Sequence, residues 1–133
     1  MIVKQVDITD FYSLMYLHSK LYSYTDFNAF QLTNLLIKQL SDNYSLVIGL
    51  YKYDKLVGFI LLETNIHLAS IYIEPEYRYY TKYFIGKAEK IMYQNDIKEW
   101  YAEAQTEEGK RLLEKLCKKV DTNLYKKEIK WVQ

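Results

Sequence analysis

The chain has 133 residues, half of them hydrophobic, with 18 basic and 17 acidic side chains giving a formal charge of +1. That length supports one compact domain, residues 1–133, with a core of its own. The near-neutral balance excludes a whole-protein field aimed at nucleic acid or an anionic membrane. Charge is uneven, however: from Lys110 to Lys130 eight basic residues face Glu114, Asp121 and Glu128. Cys117 is the single cysteine, which excludes an internal disulfide and any cysteine-based metal cluster and fits a reducing compartment. No apolar run is long enough to span a bilayer, and "MIVKQVDITD" lacks the charged start and apolar core of a signal peptide, so a cytoplasmic protein without a membrane partner is expected. The abundance of tyrosine, beside many Lys, Ile and Asn, reads as a coding bias of an AT-rich genome.

In chain order, "MIVKQV" is a short strand. Thr9 or Asp10 then caps a helix over "FYSLMYLHSKLY", with Phe11, Leu14, His18 and Leu21 on one face, which places His18 at the core or its rim. Thr25 and Asp26 cap a second helix, "FNAFQLTNLLIKQL", ended by the turn-forming "SDN". The stretches "YSLVIGLYKY" and "KLVGFILLE", joined around Asp54, read as a hairpin, and "HLASIYI" adds a third antiparallel strand. The pattern then changes. "TKYFIGKAEKIMYQ" is a helix turning Phe84, Ile85, Ala88, Ile91 and Met92 to the sheet, and "IKEWYAEA" is the parallel strand after the crossover. "TEEGKRLLEKLCKKV" is a helix opened by Thr106, and "TNLYKKEIKWV" returns as a last strand or hairpin. The order β-α-α-β-β-β-α-β-α-β is an α/β (α+β) fold with a mixed, mostly antiparallel sheet and helices on both faces.

This order, over essentially the whole chain, resembles the GCN5-related N-acetyltransferases. "DKLVGFILL" is similar to the family's hairpin with its hydrophobic-Gly-Phe at Val57, Gly58 and Phe59, and "IYIEPEYR" is similar to the strand and Pro-x-Tyr-Arg shoulder that precede the acetyl-CoA loop. The resemblance implies a fourth strand splayed from the fifth, pantetheine in the gap along Ile71 and Ile73, and a turn after Arg78 whose backbone N–H groups meet the pyrophosphate. The family pattern Arg/Gln-x-x-Gly-x-Gly/Ala, laid on Arg78, runs through Tyr79 and Tyr80 to Thr81 and through Lys82 to Tyr83, so both small positions are lost. Glycine serves there because it lets backbone approach the phosphates closely. Thr81 and Lys82 retain groups that could touch a phosphate, whereas Tyr83 is expected to fill the gap between the splayed strands. Gly86 comes a turn too late to substitute.

The resemblance also implies a tyrosine acid in the last helix and an Asn after the fifth strand. Leu113 stands at the first position, and "AEAQTEEG" offers only the amide of Gln105 at the second. Glu63 and Glu103, at strand ends, are the candidate general bases by position; for each the competing reading is a solvated strand-end charge. His67 reads as a cap histidine and Cys117 as a small core hydrophobe, and no acidic or histidine cluster supports a metal site.

Three functions compete. The first is a catalytically silent scaffold that needs no cofactor and serves through a protein partner, for example as an accessory part of a larger phage or virion assembly. The second is an acetyl-CoA-dependent N-acetyltransferase. The third is a nucleic-acid-binding module in which Tyr72, Tyr77, Tyr79, Tyr80 and Tyr83 stack on bases while Lys82, Lys87 and the basic C-terminal segment meet phosphates.

Overall fold

In the computed structural model, residues 1–23, 25–41 and 45–130 are described. The elements are β1 (Ile2–Gln5), α1 (Phe11–Leu21), α2 (Ala29–Ser41), β2 (Ser45–Lys52), β3 (Lys55–Glu63), β4 (Leu68–Ile73), α3 (Thr81–Gln94), β5 (Glu99–Glu103), α4 (Glu107–Leu116), β6 (Lys118–Lys119) and β7 (Leu124–Glu128). The strands form one seven-stranded sheet in the order β1-β2-β3-β4-β5-β7-β6, antiparallel everywhere except between β4 and β5. The mixed sheet and crossover helix expected from periodicity are therefore present.

Alternation along the strands explains the two faces. On β3, Leu56, Phe59 and Leu61 meet Leu14 and Leu17 of α1 and Leu36 of α2, whereas Val57, Ile60 and Leu62 belong to the cluster of Phe84, Ile85, Ala88 and Met92 from α3. Val57 is an extra residue in the ladder, since Leu50 pairs with Gly58 and Tyr51 with Leu56. Such a bulge keeps the core faces in phase while the strand bends. Beyond it, a Cβ on Gly58 would lie 3.0 Å from the Tyr72 carbonyl oxygen and 3.1 Å from Ile73 Cγ1, so the hydrophobic-Gly-Phe motif serves the close approach of β3 to the end of β4.

The helix starts differ from the sequence expectation. α1 follows a 3-10 turn (Ile8–Asp10) whose cap is Asp7, accepting from the Thr9 N–H; Asp10 instead accepts from the Tyr51 hydroxyl at 2.8 Å. α2 is opened by a capping box of Asn28 and Gln31, which exchange side-chain and backbone hydrogen bonds at 2.9 Å, whereas the sequence reading places the caps at Thr25 and Asp26. At the other end, α4 stops at Leu116, and the "KKV" read as helix turns back as β6, because Lys118 and Lys119 pair with Lys126 and Tyr125. Asp42, Asn43, Tyr44 and the end of the last strand at Trp131 and Val132 lie outside the described residues.

Two glycines should respond oppositely to the same substitution. Gly58→Ala should destabilise by about 1–3 kcal/mol through overpacking against β4. Gly86→Ala, where an added Cβ meets nothing within 4 Å on the exposed side of α3, should stabilise by about 0.5–1 kcal/mol. Urea denaturation midpoints of the two variants would check both signs.

Candidate functional site

β4 and β5 share a single register pair, Leu68 with Tyr101, reinforced by the Tyr101 N–H donating to the His67 carbonyl at 2.7 Å. Past that point the strands separate. β4 continues to Ile73 along β3, while β5 remains committed to β7 through Glu103. The gap opens into two adjoining cavities that share Leu21, Ile71, Thr106, Gly109 and Leu112 in their walls.

The larger cavity, about 590 Å³, has an apolar floor from Ile71 and Ile73 of β4 and Leu112 of α4. Its rim is cationic: Lys20 from the last turn of α1, Arg78, and Arg111 and Lys115 from α4 face one acidic residue among those described, Glu108. Arg78 is engaged within the protein. Its Nε donates to the Ile73 carbonyl at 3.1 Å, and its Nη1 reaches both carboxylate oxygens of Glu108 at 2.7 Å, tying the end of β4 to the first turn of α4. α4 itself is capped by Thr106, whose hydroxyl accepts from the Gly109 N–H at 3.0 Å.

The smaller cavity, about 210 Å³, lies toward the vertex of the splay. Glu63 and Glu103 line it with Gln39, Ser70 and Tyr22, and among the described residues no lysine or arginine does. The cleft thus has a basic end and an acidic end, a separation that the net charge of +1 conceals.

The sequence candidates divide accordingly. Ile71, Ile73, Arg78 and Thr81 line the larger cavity, and Glu63 and Glu103 the smaller. Tyr79, Tyr80, Lys82 and Tyr83 line neither. Tyr79 is 74% exposed with its ring centroid 4.3 Å from that of Tyr80, and Tyr80 packs on the α3 core cluster. Tyr83 corrects the expectation of a filled gap: it is 40% exposed, its hydroxyl donates to the Met1 carbonyl at 3.3 Å, and Lys87 lies over its ring. In a helix, positions 83 and 84 point about 100° apart, so with Phe84 in the core Tyr83 is carried toward β1 and away from β5.

The turn itself is not an open loop. Pro75–Tyr80 form a 3-10 helix that runs directly into α3, and no residue in it has positive φ. The Thr81 N–H and the Thr81 hydroxyl both donate to the Arg78 carbonyl, the latter at 2.5 Å. Without glycine the segment adopts the helical geometry open to any residue, and the cradle of free N–H groups is replaced by a helical turn.

Leu113, at the position implied for the tyrosine acid, is 5% exposed and joins the core cluster, and α4 contains no tyrosine. His18 is 1% exposed, with its Nε2 3.1 Å from Gln39 Oε1, and burial lowers its pKa. Cys117 is half-buried beyond the end of α4, and burial pushes its thiol up to about 11. Among the described residues no group of three or more His, Cys, Asp or Glu is placed to hold a metal, and no helix is long and apolar enough to cross a membrane. Sequence reasoning missed Lys20 as a site residue, and it noted Arg111 and Lys115 only as part of a basic segment; their four-residue spacing on one helix face was the available signal.

No protein-family model matches the chain, and no curated protein aligns with it significantly. Solved structures do match. The PaiA N-acetyltransferase of Thermoplasma acidophilum, solved with coenzyme A, superposes with a TM-score of 0.69 at 22% identity over 97% of this chain and 100% of that one. The ribosomal-protein-S18-alanine N-acetyltransferase of Escherichia coli gives 0.69 at 10% identity over 99% and 96%. The spermidine N-acetyltransferase of Vibrio cholerae, solved with CoA and spermine, gives 0.63 at 15% identity over 94% and 92%. The chain therefore has the GCN5-related N-acetyltransferase fold.

Two measurements test these assignments. His18 is held neutral when folded, so its contribution to stability is intact above pH 6.5 and falls as pH drops below it, by at most about 1.4 kcal/mol per pH unit; His18→Gln should flatten that slope in denaturant titrations at pH 5 to 7. Raising the Cys117 thiol from 9.0 to about 11 cuts its thiolate fraction on the order of a hundredfold. Iodoacetamide at pH 8 should accordingly label the native protein far more slowly than the unfolded chain.

Proposed function

From the acetyltransferase fold and its open cleft, we propose that this chain binds an acyl-CoA between β4 and β5 and transfers the acyl group to a cationic amine. The observation that carries the reading is the charge separation along one continuous cleft: an apolar floor with a cationic rim suits an acyl-pantetheine with a polyanionic head, and the adjoining acidic cavity suits a protonated amine. Ile71 and Ile73 supply the strand that the pantetheine follows. The bound cofactor supplies a thioester carbonyl. Glu63 and Glu103 attract the ammonium group and receive the proton it must shed before its lone pair can attack. Spermidine, the acceptor named for the Vibrio cholerae relative, is the first amine to try.

A second reading, the silent scaffold, is favoured by one observation: the buried Leu113 leaves α4 with no hydroxyl to protonate a departing thiolate. Such a protein keeps the cleft for binding and acts through a protein partner in the cytoplasm or a virion. The two readings differ in turnover. Acetyl-CoA at a hundred times its Kd should stabilise the protein by about 2.7 kcal/mol in the first, whereas the scaffold needs no cofactor. Acyl transfer to spermidine, followed by thiol release, should appear only in the first, and Glu63→Gln with Glu103→Gln should lower kcat by about a hundredfold while leaving acetyl-CoA binding in place. Absence of any stabilisation overturns the acyl-CoA reading, and binding without turnover by any amine favours the scaffold.

A further inference from the structure

We propose that the anionic head of the ligand in the larger cavity is held by side-chain cations of α1 and α4, namely Lys20, Arg111 and Lys115, joined by Arg78 when it leaves Glu108, rather than by backbone N–H groups at the start of α3. The inference rests on the acyl-CoA reading of the cleft.

Three observations converge on it. The backbone route is closed where it would begin, because Thr81 directs both its N–H and its hydroxyl to the Arg78 carbonyl and the preceding turn is helical. The cations stand elsewhere: Lys20 comes from the end of α1, and Arg111 and Lys115 from successive turns of α4, all lining the same 590 Å³ cavity. Finally, Arg78 is paired in a form that can be exchanged. Its ion pair with Glu108 is open to water, with the two side chains 38% and 66% exposed, so the pair contributes little to stability. Glu108 engages Nη1 alone, whereas a phosphate can take two guanidinium nitrogens in a fork and carries more charge. Glu108 therefore acts as an internal competitor: while it holds Arg78, the anion site has three cations, and its displacement adds a fourth.

Calorimetric titrations with CoA and with pantetheine, at low and moderate salt, test this. The double variant Arg111→Glu with Lys115→Glu should weaken CoA binding roughly tenfold or more and flatten its salt dependence, with pantetheine affinity unchanged. Glu108→Gln should tighten CoA binding severalfold, an effect that a structural role for the ion pair cannot produce. Lys82→Ala, on the exposed side of α3, should leave CoA affinity unaltered. CoA binding by the native chain that ignores the α4 reversal, or that weakens in Glu108→Gln, overturns the inference alone. Failure of the native chain to bind either CoA or pantetheine overturns the acyl-CoA reading and the inference with it.

Discussion

The sheet is two antiparallel halves joined at one place. β1 to β4 form one half and β5, β7 and β6 the other, and the connection is the Leu68–Tyr101 pair with the hydrogen bond from Tyr101 to the His67 carbonyl. Each strand at the junction is satisfied on its outer side, β4 by six register pairs with β3 and β5 by five with β7. Neither needs the other along its length. Leu112 and Leu113 of α4 wall the opening, so the divergence yields a lined cleft instead of a defect in the sheet. His67 at the vertex adopts φ 56°, a left-handed turn that ends the β3–β4 connection where the parallel contact must begin.

Chemistry follows from which elements reach that opening. α1 ends at its mouth with Lys20, α4 runs along it with Arg111 and Lys115, and β3 and β5 finish at its inner end with Glu63 and Glu103. Strand ends and helix faces converge there because a splayed sheet leaves its edges unpaired, and the resulting field is directional although the whole chain is nearly neutral. The helical turn before α3 changes how that field can be used. In a glycine-rich loop the donors are N–H groups fixed by the backbone; the cations that line this cleft are flexible side chains, whose ion pairs respond to salt and to competing carboxylates such as Glu108.

Much of this was legible beforehand. The spans of β3 and α3 were readable to the residue, because bulk hydrophobicity on β3 and 3.6-residue spacing on α3 are local signals. The splay and the positions of Ile71, Ile73 and Arg78 beside it follow from the resemblance carried by "IYIEPEYR". The errors were at ends and in orientation. Asn28 and Gln31 are hidden as a cap because Thr25 and Asp26 are equally good capping types; the pattern of the last helix runs on through Val120 because Lys is a good helix former until a strand partner claims it. Tyr83 was aimed into the gap because residue size was weighed without the rotation that Phe84 imposes on α3.

The amino-acid sequence by itself determined the four helices and every strand but β6, the two core faces and the absence of glycine from the turn after Arg78, since each depends on residue type and on spacing within a few positions. Only the tertiary structure decided that the gap stays open, that Arg78 is held by Glu108 thirty residues away, and that Lys20 and Arg111 share a cavity. Those facts depend on how far β4 follows β5 and how α4 crosses the opening. They are set by the sum of pairings on the outer edges of both strands, and no local pattern in the chain records that sum.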